Sequence, residues 1–196
     1  DRTGKKHYKL DIGEYGAVQN KSLSIAKLQT AAFDWDNTLA YSREALVFAI
    51  NKILPQYNLP QWDEVKQKRN RRLSFRDNFP LIFGDNAEEA YEKYRLIYKE
   101  NVERLISAPP KAKEVLEFLK NNDIKIVIVS NKDRQLFDFE QHFLYSADLF
   151  DKVVCGHEAV QDKPSAEQLK YAIKGYVSKI SENNVWMIGD SPMDSE

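Results

Sequence analysis

Cysteine is nearly absent from this chain, which contains one, Cys155, among its 196 residues. No disulfide can form within the chain, and this favours a reducing compartment. Long apolar runs are missing as well, since no stretch reaches the ~18 apolar residues of a membrane-spanning helix. Residues 1–10 lack the apolar centre of a signal peptide. We therefore expect a cytoplasmic protein with no membrane association.

An excess of positive charge is also lacking. The sequence has 29 basic and 30 acidic side chains, which give a net charge of −1 at pH 7. General binders of nucleic acid or of membrane surfaces are usually more basic. Nucleic acid is therefore not an expected partner, and any anion has to be bound by a local arrangement of charge.

Several patterns of phosphate or metal chemistry are missing. Cys155 cannot anchor a cysteine-phosphatase loop, because the sixth residue after it is Gln161 and not arginine. None of the glycines forms a GxxxxGK[ST] loop. The histidines, His7, His142 and His157, have no metal-ligand spacing along the chain. We interpret them as surface or packing residues.

Four short apolar segments are present, with the character of strands in a parallel sheet. Residues 124–129, IKIVIV, are almost continuously apolar and β-branched, which is typical of a strand buried on both faces. Shorter examples are 28–33, 151–155 and 185–188. Helices are predicted over 42–54, 86–107, 110–121, 132–145 and 164–177. Strand and helix alternate from residue 110 onward, which predicts a doubly wound, Rossmann-like α/β fold with right-handed crossovers.

Residues 41–108 interrupt this alternation and are predicted to be helical throughout. We interpret them as an insertion after the first strand. The α/β core then comprises residues 28–40 and 109–196. Residues 1–27 show no strong periodicity and form an N-terminal arm of unassigned role. Two helix starts are predicted from single residues, with Ser42 as the N-cap of the first helix and Pro164 near the first position of the last.

Polar residues follow each predicted strand, at the edge where open parallel sheets bind ligands. The four segments are DWDNT at 34–38, SNK at 130–132, DKP at 162–164 and GDSPMD at 189–194. Each alone is weak evidence, because a DxD pair is more often a turn and a lone lysine is usually solvated. Their common position at strand ends makes the set far more specific.

These segments resemble the four motifs of the haloacid dehalogenase superfamily. DWDNTL at 34–39 is similar to its first motif, VIVSN at 127–131 to its second, Lys163 in DKPSAE to its third, and GDSPMD at 189–194 to its fourth. The match covers about residues 28–40 and 110–196, and many members carry a helical cap where this chain has the insertion. The resemblance implies a haloacid-dehalogenase-like α/β core with an inserted all-α cap. It also implies that phosphoglycolate-phosphatase-like members are the nearest relatives.

The resemblance implies phosphatase chemistry at two aspartates. Asp34 would be the nucleophile and would carry the phosphoryl group as an aspartyl-phosphate. Asp36 would protonate the leaving group and later deprotonate the attacking water. Members that act on carbon–halogen or carbon–phosphorus bonds usually lack an acid at the second position, so Asp36 favours a phosphate ester.

A magnesium ion is expected, because two carboxylates and a phosphate dianion repel one another. Asp190 would complete the metal site with Asp34 and the backbone carbonyl of Asp36. Asp194 would bind the ion through water or support the other ligands.

The phosphate itself would be held by three residues. Ser130 and the backbone N–H groups after it, including that of Asn131, would bind phosphate at a helix N-terminus. Lys163 would supply a positive charge to the transferring group and to Asp34.

The insertion contains a basic stretch, KQKRNRRLSFR at 66–76. Two interpretations are open. The stretch is either a solvated helix face or a docking surface for an anion over the mouth of the site. On the second interpretation, Arg72, Ser74 and Arg76 are candidates for substrate specificity.

The predicted function is a Mg²⁺-dependent phosphatase acting on a small phosphorylated metabolite, a phosphomonoester. One alternative is a phosphomutase or phosphotransferase of the same superfamily, in which a hydroxyl accepts the phosphoryl group. Another is a binding protein that keeps the fold without turnover. The sequence decides neither the ester nor the oligomeric state. Relatives usually continue through another strand and helix, whereas this sequence stops at Glu196, and a missing C-terminal portion would account for the difference.

Overall fold

The computed structural model describes residues 27–70, 72–181 and 183–194. The predicted N-terminal arm lies outside them except for Lys27. Four parallel strands form one sheet in the order β3-β2-β1-β4. They are β1 (Thr30–Phe33), β2 (Lys125–Val129), β3 (Lys152–Val154) and β4 (Val185–Ile188). The central strand β1 pairs with β2 on one side and β4 on the other, so Phe33 lies opposite both Ile128 and Ile188.

The described residues contain seven α-helices. They are α1 (Arg43–Ile53), α2 (Trp62–Val65), α3 (Phe79–Phe83), α4 (Ala87–Leu105), α5 (Ala112–Asn121), α6 (Arg134–Leu144) and α7 (Glu167–Ile173). Short 3-10 helices lie between and after them, at Leu54–Tyr57, Lys66–Lys68, Arg76–Asn78, Gly84–Asn86, Ala147–Leu149 and Pro192–Asp194. The first four α-helices follow β1, and the last three alternate with the remaining strands.

The two faces of the sheet pack against different helices. Because side chains alternate along a strand, Ala31 and Phe33 of β1 point to one face, and Ala32 points to the other. The first face is buried with Leu116 of α5 and Phe137 of α6. The second is buried together with residues of α7. Helices on both faces of a parallel sheet define a doubly wound α/β fold, and this prediction is confirmed.

The insertion has a hydrophobic cluster of its own. Its buried residues lie between Ala45 and Val102, and Leu136 of α6 joins them. Rings contact one another through this cluster; Phe79, for example, lies 4.9 Å from Tyr91 between ring centroids. Aromatic contacts of this kind stabilise the packing of the insertion's helices against one another. We propose that residues 41–108 form a cap.

The last helix differs from the prediction at both ends. It begins at Glu167 and not near Pro164, because residues 162–165 form a turn in which the Ser165 N–H donates to the Asp162 carbonyl at 3.0 Å. It ends at Ile173 and not at 177, before Gly175 adopts a φ of +94°, which L side chains rarely adopt.

None of the helices in the described part of the chain combines the length and apolar character needed to cross a bilayer.

Candidate active site

The carboxyl ends of the strands bring the predicted polar loops together. Asp34 directly follows β1, and its N–H donates to the Ile188 carbonyl at the end of β4 at 2.8 Å. In the same way, the Ser130 N–H after β2 donates to the Val154 carbonyl at the end of β3 at 3.0 Å. The site therefore lies at the edge of the sheet where open α/β folds bind ligands.

A buried lysine bridges two carboxylates at this edge. Lys163 Nζ lies 2.5 Å from Asp34 Oδ1 and 2.6 Å from Asp194 Oδ1, and none of the three side chains is more than 10% exposed. Burial raises the pKa of Asp34 to about 6, the positive charge and hydrogen bond of Lys163 oppose this, and the negative charges of Asp194 and Asp36 add to it. Lys163 thus offsets only part of the combined effect of burial and of the neighbouring carboxylates.

Asp190 brings a third carboxylate to the site. Oxygen atoms of Asp34, Asp190 and Asp194 all lie within 4.8 Å of one another. Burial and the charge of Asp194 raise the pKa of Asp190, and a hydrogen bond from Asn37 opposes this rise. A cluster of carboxylate oxygens that repel one another fits a hard divalent cation such as Mg²⁺.

Asp194 has a different part in this cluster from Asp34 and Asp190. Its Oδ1 accepts from Lys163, and its Oδ2 accepts from the Ser191 N–H at 3.0 Å. Both oxygens already have donors, which suits the predicted supporting role. Residue 189 has to be glycine for this arrangement, because a Cβ there would lie 2.2 Å from Cγ of Asp194.

The turn after β1 separates the side chains of the DWD segment. Trp35 is fully buried in the core, whereas Asp36 is partly exposed. The Trp35 carbonyl accepts from the N–H groups of Leu39 and Ala40 at 2.9 and 3.0 Å, and Asn37 adopts a left-handed φ of +62°. This tight turn places Asp36 at the rim of the site, two residues after the buried Asp34.

Two donors hold Asp36 in place. Lys132 Nζ lies 2.7 Å from Asp36 Oδ1, and the Ser42 hydroxyl donates to the same oxygen. Ser42 stands at the N-cap of α1 but makes no capping hydrogen bond with its side chain. The predicted position of Ser42 as the N-cap residue is therefore confirmed. Its hydroxyl does not cap the helix, because it donates to Asp36 instead.

A buried polar network lies behind Asp36. Glu140 of α6 is fully buried and accepts from Trp35 Nε1 at 2.6 Å and from the Tyr98 hydroxyl. Its carboxylate also pairs with Lys132 Nζ at 2.8 Å. Lys132 thus bridges Asp36 and Glu140. Since Tyr98 lies on α4 and Glu140 on α6, the network connects the insertion, the first loop and the core.

Asn131 supports the lysine of the third motif. Its side chain exchanges two hydrogen bonds with the backbone of Lys163, donating to the carbonyl at 2.8 Å and accepting from the N–H at 2.9 Å. These bonds fix the loop that delivers the Lys163 side chain to Asp34.

Ser130 does not stand at a helix N-terminus. Helix α6 begins at Arg134, and the Asp133 side chain caps it by accepting from the N–H groups of the second and third helical residues. The prediction of phosphate binding at this helix end is corrected, because a carboxylate already occupies it. Ser130 itself is buried, and its hydroxyl oxygen accepts from the Lys132 N–H at 3.3 Å. It stays a predicted phosphate ligand.

The specificity candidates fall in different environments. Among the described residues of 66–76, only Lys66–Lys68 and the start of Arg76–Asn78 are helical, both as 3-10 helices, so the interpretation as a helix face is wrong in its geometry. Ser74 is buried and its hydroxyl donates to Asp77 Oδ2 at 2.7 Å, which makes it part of a turn. Arg72 is exposed. The Arg76 guanidinium lies 3.6 Å from Asp133 Oδ2, between the insertion and α6.

Lys132 and Glu140 were not predicted as functional residues. The position of Lys132 directly after Ser130-Asn131 could have indicated it, because the loop was already assigned to the site. Glu140 offers no such signal, since a glutamate within an amphipathic helix is usually solvated.

The chain matches the family of haloacid dehalogenase-like hydrolases over residues 31–196. It therefore belongs to that family of enzymes, and the predicted resemblance is confirmed. Pyrophosphatase PpaX from Bacillus cereus is 27% identical over 168 residues, which are 86% of this chain and 77% of that protein.

Two solved structures share the fold. A predicted phosphoglycolate phosphatase from Haemophilus somnus is 21% identical, with a TM-score of 0.75 over 87% of this chain and 80% of that one. A protein from Bacteroides fragilis described as a haloacid dehalogenase-like hydrolase is 26% identical, with a TM-score of 0.70 over 86% and 81% of the two chains.

Proposed function

We propose that this chain is a Mg²⁺-dependent phosphatase that hydrolyses a small phosphomonoester. One observation carries the proposal. Asp34 is buried at the end of β1, lies 2.5 Å from Lys163 Nζ, and belongs to a group of three carboxylates with Asp190 and Asp194. A carboxylate nucleophile, a fixed cation and oxygen ligands for a metal are the groups that phosphoryl transfer requires.

In the first half of the reaction, a carboxylate oxygen of Asp34 attacks the phosphorus atom. The bond between phosphorus and the ester oxygen breaks, and the proton of Asp36 goes to that oxygen. Lys163 holds Asp34 Oδ1 in place and balances charge on the transferring group. A Mg²⁺ ion would be held by Asp34, Asp190 and the Asp36 carbonyl, and it would supply positive charge that offsets the repulsion between carboxylates and phosphate.

In the second half, water attacks the phosphorus of the aspartyl-phosphate. Asp36, now ionised, accepts the proton of this water, and the bond between phosphorus and the Asp34 oxygen breaks. Inorganic phosphate leaves and the Asp34 carboxylate is restored. Because Lys132 and Ser42 both donate to Asp36 Oδ1, its other oxygen is the one that we assign to proton transfer.

We assign the remaining site residues to binding. Ser130 holds the phosphate, and Asn131 acts through the backbone of Lys163. Residues 41–108 form a cap over the core of 28–40 and 109–196, and Arg72 and Arg76 dock the anionic part of the substrate. A cap of this kind excludes water from the site during transfer.

Inorganic pyrophosphate is a second candidate substrate, because a relative that is 27% identical is named a pyrophosphatase. The same attack by Asp34 would then break a phosphoanhydride bond. The difference lies in the leaving group, which is phosphate itself and needs less protonation by Asp36 than a sugar alkoxide does.

Phosphate release over a panel of sugar phosphates, phosphoglycolate, nucleotides and pyrophosphate, with and without Mg²⁺, tests the proposal. We expect turnover that needs Mg²⁺ and is lost by several orders of magnitude in Asp34→Asn. Asp85→Asn is the matched control, since Asp85 is an exposed aspartate in the insertion. Turnover of Asp34→Asn close to that of the control would overturn the proposal.

A further inference from the structure

A second group of ligand-type side chains lies where the insertion meets the core. Asp77 belongs to the insertion, whereas His157 and Asp162 belong to the loop between β3 and α7. Side-chain ligand atoms of the three all lie within 4.8 Å of one another. They line a cleft of about 320 Å³ together with residues 159–161. The spacing along the sequence could not indicate this group, because Asp77 is 80 positions from His157.

Only one of the two carboxylate oxygens of Asp162 accepts hydrogen bonds. Its Oδ1 accepts from the His157 N–H at 2.8 Å and from Gln168 Nε2 at 3.1 Å. Its Oδ2 is buried and has no hydrogen-bond donor among the described residues. A buried carboxylate oxygen without a donor is costly, and a cation in the cleft would remove that cost.

The spacing of the atoms suits a tetrahedral ion. His157 Nε2 lies 3.1 Å from Asp77 Oδ1 and 3.7 Å from Asp162 Oδ2. Ligand atoms at about 2.0–2.2 Å from zinc lie roughly 3.3–3.6 Å apart when the geometry is tetrahedral. One nitrogen and two carboxylate oxygens are a donor set that favours zinc over magnesium, which prefers oxygen ligands only.

We propose that Asp77, His157 and Asp162 bind a zinc-type divalent cation, distinct from the Mg²⁺ expected at Asp34. The ion ties the 3-10 helix Arg76–Asn78 of the insertion to the loop after β3. Arg76 Nε lies 3.7 Å from Asp77 Oδ1 and competes with the ion for this oxygen. The Arg76 guanidinium also pairs with Asp133, and it can keep this ion pair when the cation binds to Asp77.

Zinc binding to the full chain, measured by calorimetry at saturating Mg²⁺ and slightly alkaline pH, tests this site. We expect His157→Ala to lose one zinc ion per chain, or to bind it at least about tenfold more weakly. His142→Ala is the matched control, because both histidines are exposed. Replacing zinc with Co²⁺ should give the intense visible absorption of a tetrahedral ion in the control and not in His157→Ala.

The outcome does not depend on the proposed phosphatase activity. Asp34→Asn should keep the zinc ion, whether or not it abolishes phosphate release. Equal zinc stoichiometry and affinity in His157→Ala and His142→Ala would overturn the site, and so would a Co²⁺ spectrum that is identical in the two variants.

Discussion

Lys132→Met tests the polar network behind Asp36. Glu140 is fully buried and depends on Lys132 as its ionic partner, at 2.8 Å. Without the lysine, Glu140 keeps its hydrogen bonds from Trp35 and Tyr98 but loses the compensating charge. The free-energy cost of losing Lys132 is smaller at Asp36, because the Asp36 side chain is 38% exposed and water can solvate it. The main cost therefore arises at Glu140.

The size of the effect follows from this difference. Removing one partner of a buried pair costs about 3–5 kcal/mol, and the two retained hydrogen bonds place our expectation near the lower value, about 3 kcal/mol. For a protein of this size each kcal/mol lowers Tm by roughly 2–4 °C. We thus expect Tm to fall by about 6–12 °C at neutral pH.

The loss should also depend on pH. Burial raises the pKa of Glu140 above its ordinary value of 4.5, and Lys132 opposes that rise. Lys132→Met removes the opposing charge, so the pKa rises further in the folded state. A carboxyl group whose pKa is higher in the folded than in the unfolded state stabilises the fold at low pH. This contribution is fully present below the unfolded pKa and is lost as pH rises through the folded pKa. The penalty should therefore shrink under acidic conditions.

Urea unfolding at neutral and at mildly acidic pH measures both effects. Lys113→Met serves as the control, because that lysine is 67% exposed and should change stability by less than about 0.5 kcal/mol. The double variant Lys132→Met with Glu140→Gln should recover part of the loss, because no buried charge remains. A Lys132→Met protein as stable as the control, or a double variant whose loss exceeds the sum of the single losses, would refute this reasoning.

Three further predictions concern the site and its surroundings. Asp36→Asn should lower turnover by roughly 10²–10⁴-fold, with a smaller loss for p-nitrophenyl phosphate than for a sugar phosphate; equal losses would argue against the acid role. Replacing Arg72 and Arg76 with alanine should raise KM for anionic substrates and leave kcat unchanged, whereas unchanged KM for all of them would leave this stretch as a solvated surface. Gly189→Ala should destabilise the fold by about 1–3 kcal/mol, because its Cβ would lie 2.2 Å from Asp194 Cγ; unfolding at the wild-type urea concentration would contradict this.

The strands and their order of appearance could be predicted from the sequence because their patterns are local. A buried parallel strand needs an unbroken apolar run, and 124–129 provides one that the structure places at Lys125–Val129. Residues 34–38 and 189–194 could be placed at one edge for the same reason. Each directly follows a strand, and adjacent parallel strands end at the same side of a sheet.

Contacts between distant segments could not be predicted in this way. Glu140 is 105 positions from Trp35, to which it is hydrogen-bonded, and nothing in the helical pattern of α6 marks it as buried. Ser42 stands at the N-cap of α1, but its hydroxyl donates to Asp36. The Ser130 hydroxyl accepts from the Lys132 N–H two residues later, before α6 begins. The partners of Glu140 and Ser42 depend on how helices and loops pack together, which the local pattern does not contain.

Identification of the phosphorylated residue tests the central claim most directly. The Asp36→Asn variant, mixed with p-nitrophenyl phosphate and Mg²⁺ and quenched in acid, should contain a covalent phosphoryl group that hydroxylamine removes, as for an acyl phosphate. This substrate is chosen because its leaving group needs little protonation, so that the variant slows the second half of the reaction more than the first. Peptide mass spectrometry should place the resulting hydroxamate on Asp34. Phosphate release that continues with no covalent adduct at any time, or an adduct on another residue, would contradict the account.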